Sequence, residues 1–178
     1  MRSRALQLLA LREHSRAELE RKLIVRLRPA ATATPADHHA SFDEDRYAAG
    51  LADLKAELAR VLDELESHGL LNDERAAGAL VLAKSPRYGS RRLKQMLQAR
   101  SFDADLVSSS LQQAAGSELE RARDVWQRRF GQAPCDLRER ARQHRFLFAR
   151  GFDAGVVERV MKEALTHPSV VSEQDDDA

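Results

Sequence analysis

The side chains that could do chemistry in this sequence are cations, and they fall in two clusters. Lys84, Arg87, Tyr88, Arg91, Arg92, Lys94 and Arg100 surround one expected helix start. Arg128 and Arg129, with Arg138, Arg142 and Arg145, make the second. A guanidinium is a planar fork of N–H donors that matches phosphate or carboxylate oxygens in pairs. On a helix over 89–100, Arg91 and Lys94 stand i, i+3, and Arg92 lies about 100° around from Arg91. Leu93 and Leu97 take the inward side and leave the cations outside. A helix start after Tyr88-Gly89, with arginines close by, reads as a surface for phosphate. A merely solvated face would have the same composition.

Covalent and metal chemistry find no support. There is no phosphate-cradling glycine loop and no glycine-flanked serine nucleophile. The lone cysteine, Cys135, follows Pro134 at an expected helix start, where its thiol pKa could be lowered; as a single thiol it reads as incidental. Asp37, His38, His39, Asp43, Glu44 and Asp45 contain ligand types, but adjacent histidines do not share a helix face. The expectation is a non-enzyme with no cofactor and no metal.

The elements that must position the cations are helices. Leu51, Leu54, Leu58, Val61 and Leu65 keep 3-4 spacing until Gly69. Leu119, Ala122, Trp126 and Phe130 form a second stripe, stopped by Gly131. Val156, Val157, Val160, Met161, Ala164 and Leu165 form a third, closed by Pro168. Ser15 with Glu18, and Ser117 with Glu120, have capping-box spacing. Asp103 and Asp153 stand where a carboxylate caps a helix. These signals predict helices over 3–13, 15–27, 43–68, 73–85, 89–100, 103–115, 117–130, 136–150 and 153–166, with no strand. Residues 28–41 read as a flexible insert and 167–178 as a disordered acidic tail.

The segment Leu97-Gln98-Ala99-Arg100-Ser101-Phe102-Asp103-Ala104 repeats fifty residues later as Leu147-Phe148-Ala149-Arg150-Gly151-Phe152-Asp153-Ala154. Both read as helix end, sharp turn, buried Phe, Asp cap and next helix. Leu19 and Leu23 align more weakly with Leu93 and Leu97, which makes the first unit a copy with an insertion. The expected fold is all-α, with three tandem three-helix repeats forming an elongated, curved rod. The repeats span residues 1–72, 73–116 and 117–166. Each is small for independent folding, and stacking would share the burial.

Composition agrees. The 178 residues are 43% apolar but only 5% aromatic, which suits several small aliphatic cores. The net charge of +1 conceals blocks of +5 (1–28), −6 (29–72), +3 (73–116), +3 (117–165) and −4 (166–178). That segregation permits basic faces beside acidic ones. No apolar run reaches the roughly 20 residues that span a bilayer, and the N-terminal stripe is not a signal peptide. A cytoplasmic monomer without membrane contact is expected.

With these motifs in order, the chain resembles the RecX family, regulators of the RecA recombinase, over about residues 4–165 apart from the insert. Ala5-Leu6, Leu9, Arg12, His14-Ser15, Glu18-Leu19 and Lys22-Leu23 resemble its first repeat. Gly69-Leu70-Leu71-Asn72-Asp73-Glu74-Arg75 and Tyr88-Gly89-Ser90-Arg91-Arg92-Leu93 resemble its second. Arg128-Arg129-Phe130-Gly131, Arg145-Phe146-Leu147 and Arg150-Gly151-Phe152 resemble its third. Three positions depart: Asn72 for a usual Asp, Ala76 for an aromatic, and Ser101 for a Gly, which implies a differently shaped turn. The resemblance implies a protein that binds the RecA–single-stranded DNA filament and restrains its recombinase, ATPase and co-protease activities. The residues alone also allow an autonomous DNA-binding regulator that uses the helix over 89–100 or 136–150 like a recognition helix on duplex DNA, and single- or double-stranded DNA is a candidate partner. On either reading, Lys84, Arg87, Tyr88, Arg91, Arg92, Lys94, Arg100, Arg128, Arg129, Arg142 and Arg145 are the candidate contacts.

Overall fold

The structure, a computed structural model, describes residues 1–27, 44–114 and 116–166. The insert 28–41, the tail 167–178 and the possible ligands Asp37, His38, His39 and Asp43 lie outside them. So do the side chains of Glu44 and Asp45. The described residues form nine helices and no strand. These are α1 (Arg2–Leu11), α2 (Arg16–Leu27), α3 (Glu44–Ser67), α4 (Asp73–Lys84), α5 (Ser90–Gln98), α6 (Ala104–Gln112), α7 (Glu118–Arg129), α8 (Leu137–Ala149) and α9 (Ala154–Thr166). Every expected helix is present within three residues at either end. The described residues fall in two compact units, one within residues 1–77 with 100–102 and the other within residues 78–99 with 103–166.

In the first unit the stripe of α3 does what its spacing requires. Leu58, Leu62 and Leu65 join Ala5, Leu19, Leu23 and Leu71 in one aliphatic core. Gly69 ends α3 at φ 68°, and the Leu70 and Leu71 N–H groups both turn back to the Leu65 carbonyl. That closes orphan carbonyls of the last turn. Asn72 then caps α4: its side-chain oxygen accepts from the Arg75 N–H at 2.7 Å. Either amide or carboxylate serves there, so this departure from the family pattern is mild. Asp73 accepts from the Arg16 N–H at the start of α2 at 2.7 Å.

The Ser15–Glu18 pair forms half of its expected box. The Ser15 hydroxyl accepts from the Glu18 N–H and donates to the Arg100 carbonyl. The Glu18 carboxylate turns to the side chains of Arg12 and Lys22. Ser101 sits at φ 59°. The expectation of a differently shaped turn is therefore corrected: serine adopts the left-handed conformation anyway, at a steric cost glycine avoids.

In the second unit, Ala122, Val125 and Trp126 of α7 pack with Leu147 of α8, Phe152, and Val157, Val160, Met161 and Ala164 of α9. The capping box at Ser117 and Glu120 is complete. Asp103 and Asp153 each accept from the N–H two residues on. Leu93 and Leu97 are buried, as their spacing requires. The turn before α5 is locked to the turn between α8 and α9. The Gly89 N–H donates to the Arg150 carbonyl and the Arg91 N–H to the Gly151 carbonyl, both at 3.1 Å. A methyl group on Gly89 would lie 2.3 Å from the Phe152 Cα, so only glycine allows this approach.

Candidate functional site

The lock between the two turns sets where the cations of the second unit point. The turn after α4 brings Pro86, Arg87 and Tyr88 beside the last turns of α7 and α8. Together with Val125, Arg128, Arg129, Phe146 and Arg150 they line an open groove of about 600 Å³. Four of these eight residues are arginines and none is acidic. Arg128 and Arg129 occupy the last turn of α7, where the negative end of the helix dipole favours cations.

Two arginines of the groove are held in place without being neutralised. Arg128 Nη2 donates to the Pro86 carbonyl at 2.9 Å, bridging two walls. The Arg150 guanidinium lies 3.6 Å over the Phe146 ring, and Phe146 meets Phe130 edge-on at 5.0 Å. Such contacts orient a guanidinium and leave its charge available. Beyond the groove, Arg142 of α8 stands 5.9 Å over Phe130. Arg91 of α5 lies 4.1 Å over Phe148 and donates to the Phe148 carbonyl at 2.8 Å. His144 stacks on Phe148 at 6.2 Å and pairs with Glu158.

The expected contacts therefore separate. Arg87, Tyr88, Arg128 and Arg129 converge on the groove. Arg91 and Arg142 are outside it, each on a phenylalanine. Lys84, Arg92, Lys94 and Arg145 are exposed, with Arg92 reaching Gln95 on its own helix. Arg100 is in the other unit, half-buried and 3.9 Å from the Glu18 carboxylate.

One expectation fails on geometry. The start of α5 does not offer its N–H groups to phosphate. The Glu118 carboxylate already accepts from both the N–H and the hydroxyl of Ser90 at 2.9 Å, and Gly151 takes the Arg91 N–H. Glu118 also accepts from the Asp153 N–H at 3.3 Å. The protein's own carboxylate occupies the anion position.

Cys135 is a second correction. Its thiol donates to the Glu139 carboxylate at 3.0 Å. That hydrogen bond, and the negative charge of Glu139, push the thiol pKa up. Among the described residues no three His, Cys, Asp or Glu side chains are grouped to hold a metal.

Arg150, Phe146 and Phe148 were absent from the sequence-derived set. Arg150 had a signal, since it stands fifty residues after Arg100 in the repeated segment. Phe146 and Phe148 flank the buried Leu147, and their aromatic excess on a basic helix was the available clue.

The comparisons with known proteins agree with this architecture. The family model described as the RecX third three-helix domain matches residues 117–161. Regulatory protein RecX of Leptothrix cholodnii is 40% identical over 92% of this chain and 88% of its own. Regulatory protein RecX of Ralstonia nicotianae is 38% identical over 92% of this chain and 87% of its own. The crystal structure of RecX from Lactobacillus salivarius superposes with a TM-score of 0.63 at 17% identity. It covers 93% of this chain and 94% of that one, a likeness of fold. The chain belongs to the RecX family of regulatory proteins.

Proposed function

We propose that the protein is a non-enzymatic, cytoplasmic regulator that binds the RecA–single-stranded DNA filament as a monomer and restrains its recombinase, ATPase and co-protease activities. The observation that carries this reading is the carboxylate-free groove of Arg87, Arg128, Arg129 and Arg150 in a chain of this family. Preset guanidinium forks suit DNA phosphate and protein carboxylates alike through charge-assisted, paired hydrogen bonds. The exposed Arg92, Lys94 and Arg145 and the phenylalanine-backed Arg91 and Arg142 extend the basic surface on α5 and α8.

The test adds the protein to preformed RecA filaments and follows ATP hydrolysis and filament length. Slower hydrolysis and shorter filaments are expected, and no change at several-fold excess would overturn the reading. Arg91→Glu/Arg92→Glu/Lys94→Glu and Arg87→Glu/Arg129→Glu then ask which basic surface matters. The groove pair is expected to lose more than about tenfold in effective concentration, an amount in line with losing two charge-assisted contacts.

A further inference from the structure

We infer that the groove between the turn after α4 and the ends of α7 and α8 is a nucleotide site, taking phosphate on its arginines and a flat base against Tyr88 and Arg150. The inference rests on the same groove as the proposed function, but not on the identity of the filament.

Three features point beyond a simple patch of positive charge. The first is size: about 600 Å³ lies within the range of small-ligand pockets, roughly 300–1,000 Å³. The second is the donor set. Arg87, Arg128 and Arg129 come from two walls, and no carboxylate among the lining residues competes for them. Arg128 is already oriented by the Pro86 carbonyl, which reduces the ordering needed when an anion arrives.

The third feature is the flat surface. With one face of the Arg150 guanidinium on the Phe146 ring at 3.6 Å, its other face is a platform in a residue that lines the groove. Bases stack on guanidinium planes and on tyrosine rings, and Tyr88 also lines the groove. Inorganic phosphate would need only the cations, whereas a nucleotide uses both parts. The same chemistry is offered by a free nucleoside triphosphate and by one nucleotide of single-stranded DNA.

Calorimetric titration of the intact chain, without recombinase and at one fixed salt concentration, tests this. The probes are ATP, a short oligothymidylate and inorganic triphosphate. Saturable one-site binding of ATP or of the oligothymidylate is expected, and whichever binds tighter identifies the source. Arg87→Glu/Arg129→Glu should weaken nucleotide and inorganic triphosphate alike by at least about tenfold. Tyr88→Ala should weaken the nucleotide by about tenfold, a typical stacking loss, and leave inorganic triphosphate unchanged. Tyr88→Phe should restore the nucleotide. Circular dichroism verifies each fold, and Tyr88→Leu, which keeps bulk without an aromatic face, replaces the alanine variant if that one unfolds.

Absence of saturable binding by both nucleotide probes overturns the inference. So does a folded Tyr88 variant lacking the ring that binds nucleotide as wild type does, since the groove would then be an anion site only. Because recombinase is absent, either failure leaves the filament reading intact. Nucleotide binding by a chain that does not slow the filament would sink that reading alone.

Discussion

Arg100 and Arg150 hold the same place in two occurrences of one turn, and their surroundings differ. Arg100 sits near Glu18, whose carboxylate also binds Arg12 and Lys22. His14, buried beside them, places Nδ1 against the Arg12 carbonyl and Nε2 against the Lys22 ammonium. Burial lowers its pKa, so the neutral ring donates from Nδ1 and accepts from Lys22. That region sets one carboxylate among three cations. Arg150 lies on a phenylalanine ring in a groove with no acidic wall. Counting arginines does not distinguish the two regions; what stands opposite each arginine does. A cation beside a buried carboxylate has part of its charge answered within the protein, while one resting on a ring keeps its charge and its donors.

The turns differ in the same way, and the largest expected effect comes from making the second like the first. Gly151 has φ 81° and its added Cβ would lie 2.5 Å from the Arg92 backbone N. Gly151→Ala therefore combines left-handed strain with a backbone clash, and we expect a loss of about 3 kcal/mol or more by chemical denaturation. The groove should open with it, since the Gly151 and Arg150 carbonyls hold the turn before α5. A loss under about 1 kcal/mol would show that the lock is dispensable.

The next effect falls on the region around Glu18. Burial alone would raise the Glu18 carboxyl, but hydrogen bonds and charge from Arg12 and Lys22 prevail and hold its pKa at about 2. A free glutamate titrates near ~4.3. The folded state thus gains stability fully present above about pH 5 and lost as the pH falls toward about 2. Glu18→Gln should cost about 2 kcal/mol near neutral pH, allowing for the partial exposure of Arg12 and Lys22. It should also flatten the acid limb of stability between about pH 5 and 2. An unchanged acid limb would mean that Arg12 and Lys22 do not hold the Glu18 carboxylate ionised.

The smallest effect has the opposite sign. Ser101→Gly relieves a non-glycine residue at φ 59° and should stabilise by about 0.5–1 kcal/mol, offset by added chain entropy. Its side chain gives up only a long contact with Arg21 at 3.4 Å. If the variant were less stable, that contact would outweigh the strain.

Much of the fold was legible in the sequence because helix formation is local. Leu58, Leu62 and Leu65 declare their face by spacing, Asp103 and Asp153 their caps by position, and Gly69 and Gly131 their stops by φ. The repeated segment located the paired turns as well. Half of the groove was readable as well: Arg87, Tyr88, Arg128 and Arg129 stood in basic clusters.

What stands opposite a side chain is not local, and only the tertiary structure decided it. Nothing near Arg100 in sequence names Glu18, and nothing near Ser90 names Glu118. Yet the first stands 3.9 Å from an expected contact, and the second occupies the helix start expected to hold phosphate. The sequence by itself determined nine helices and the supply of cations. The packing of distant segments determined which cations keep their charge for a partner, because pairing energy depends on distances that chain spacing does not set.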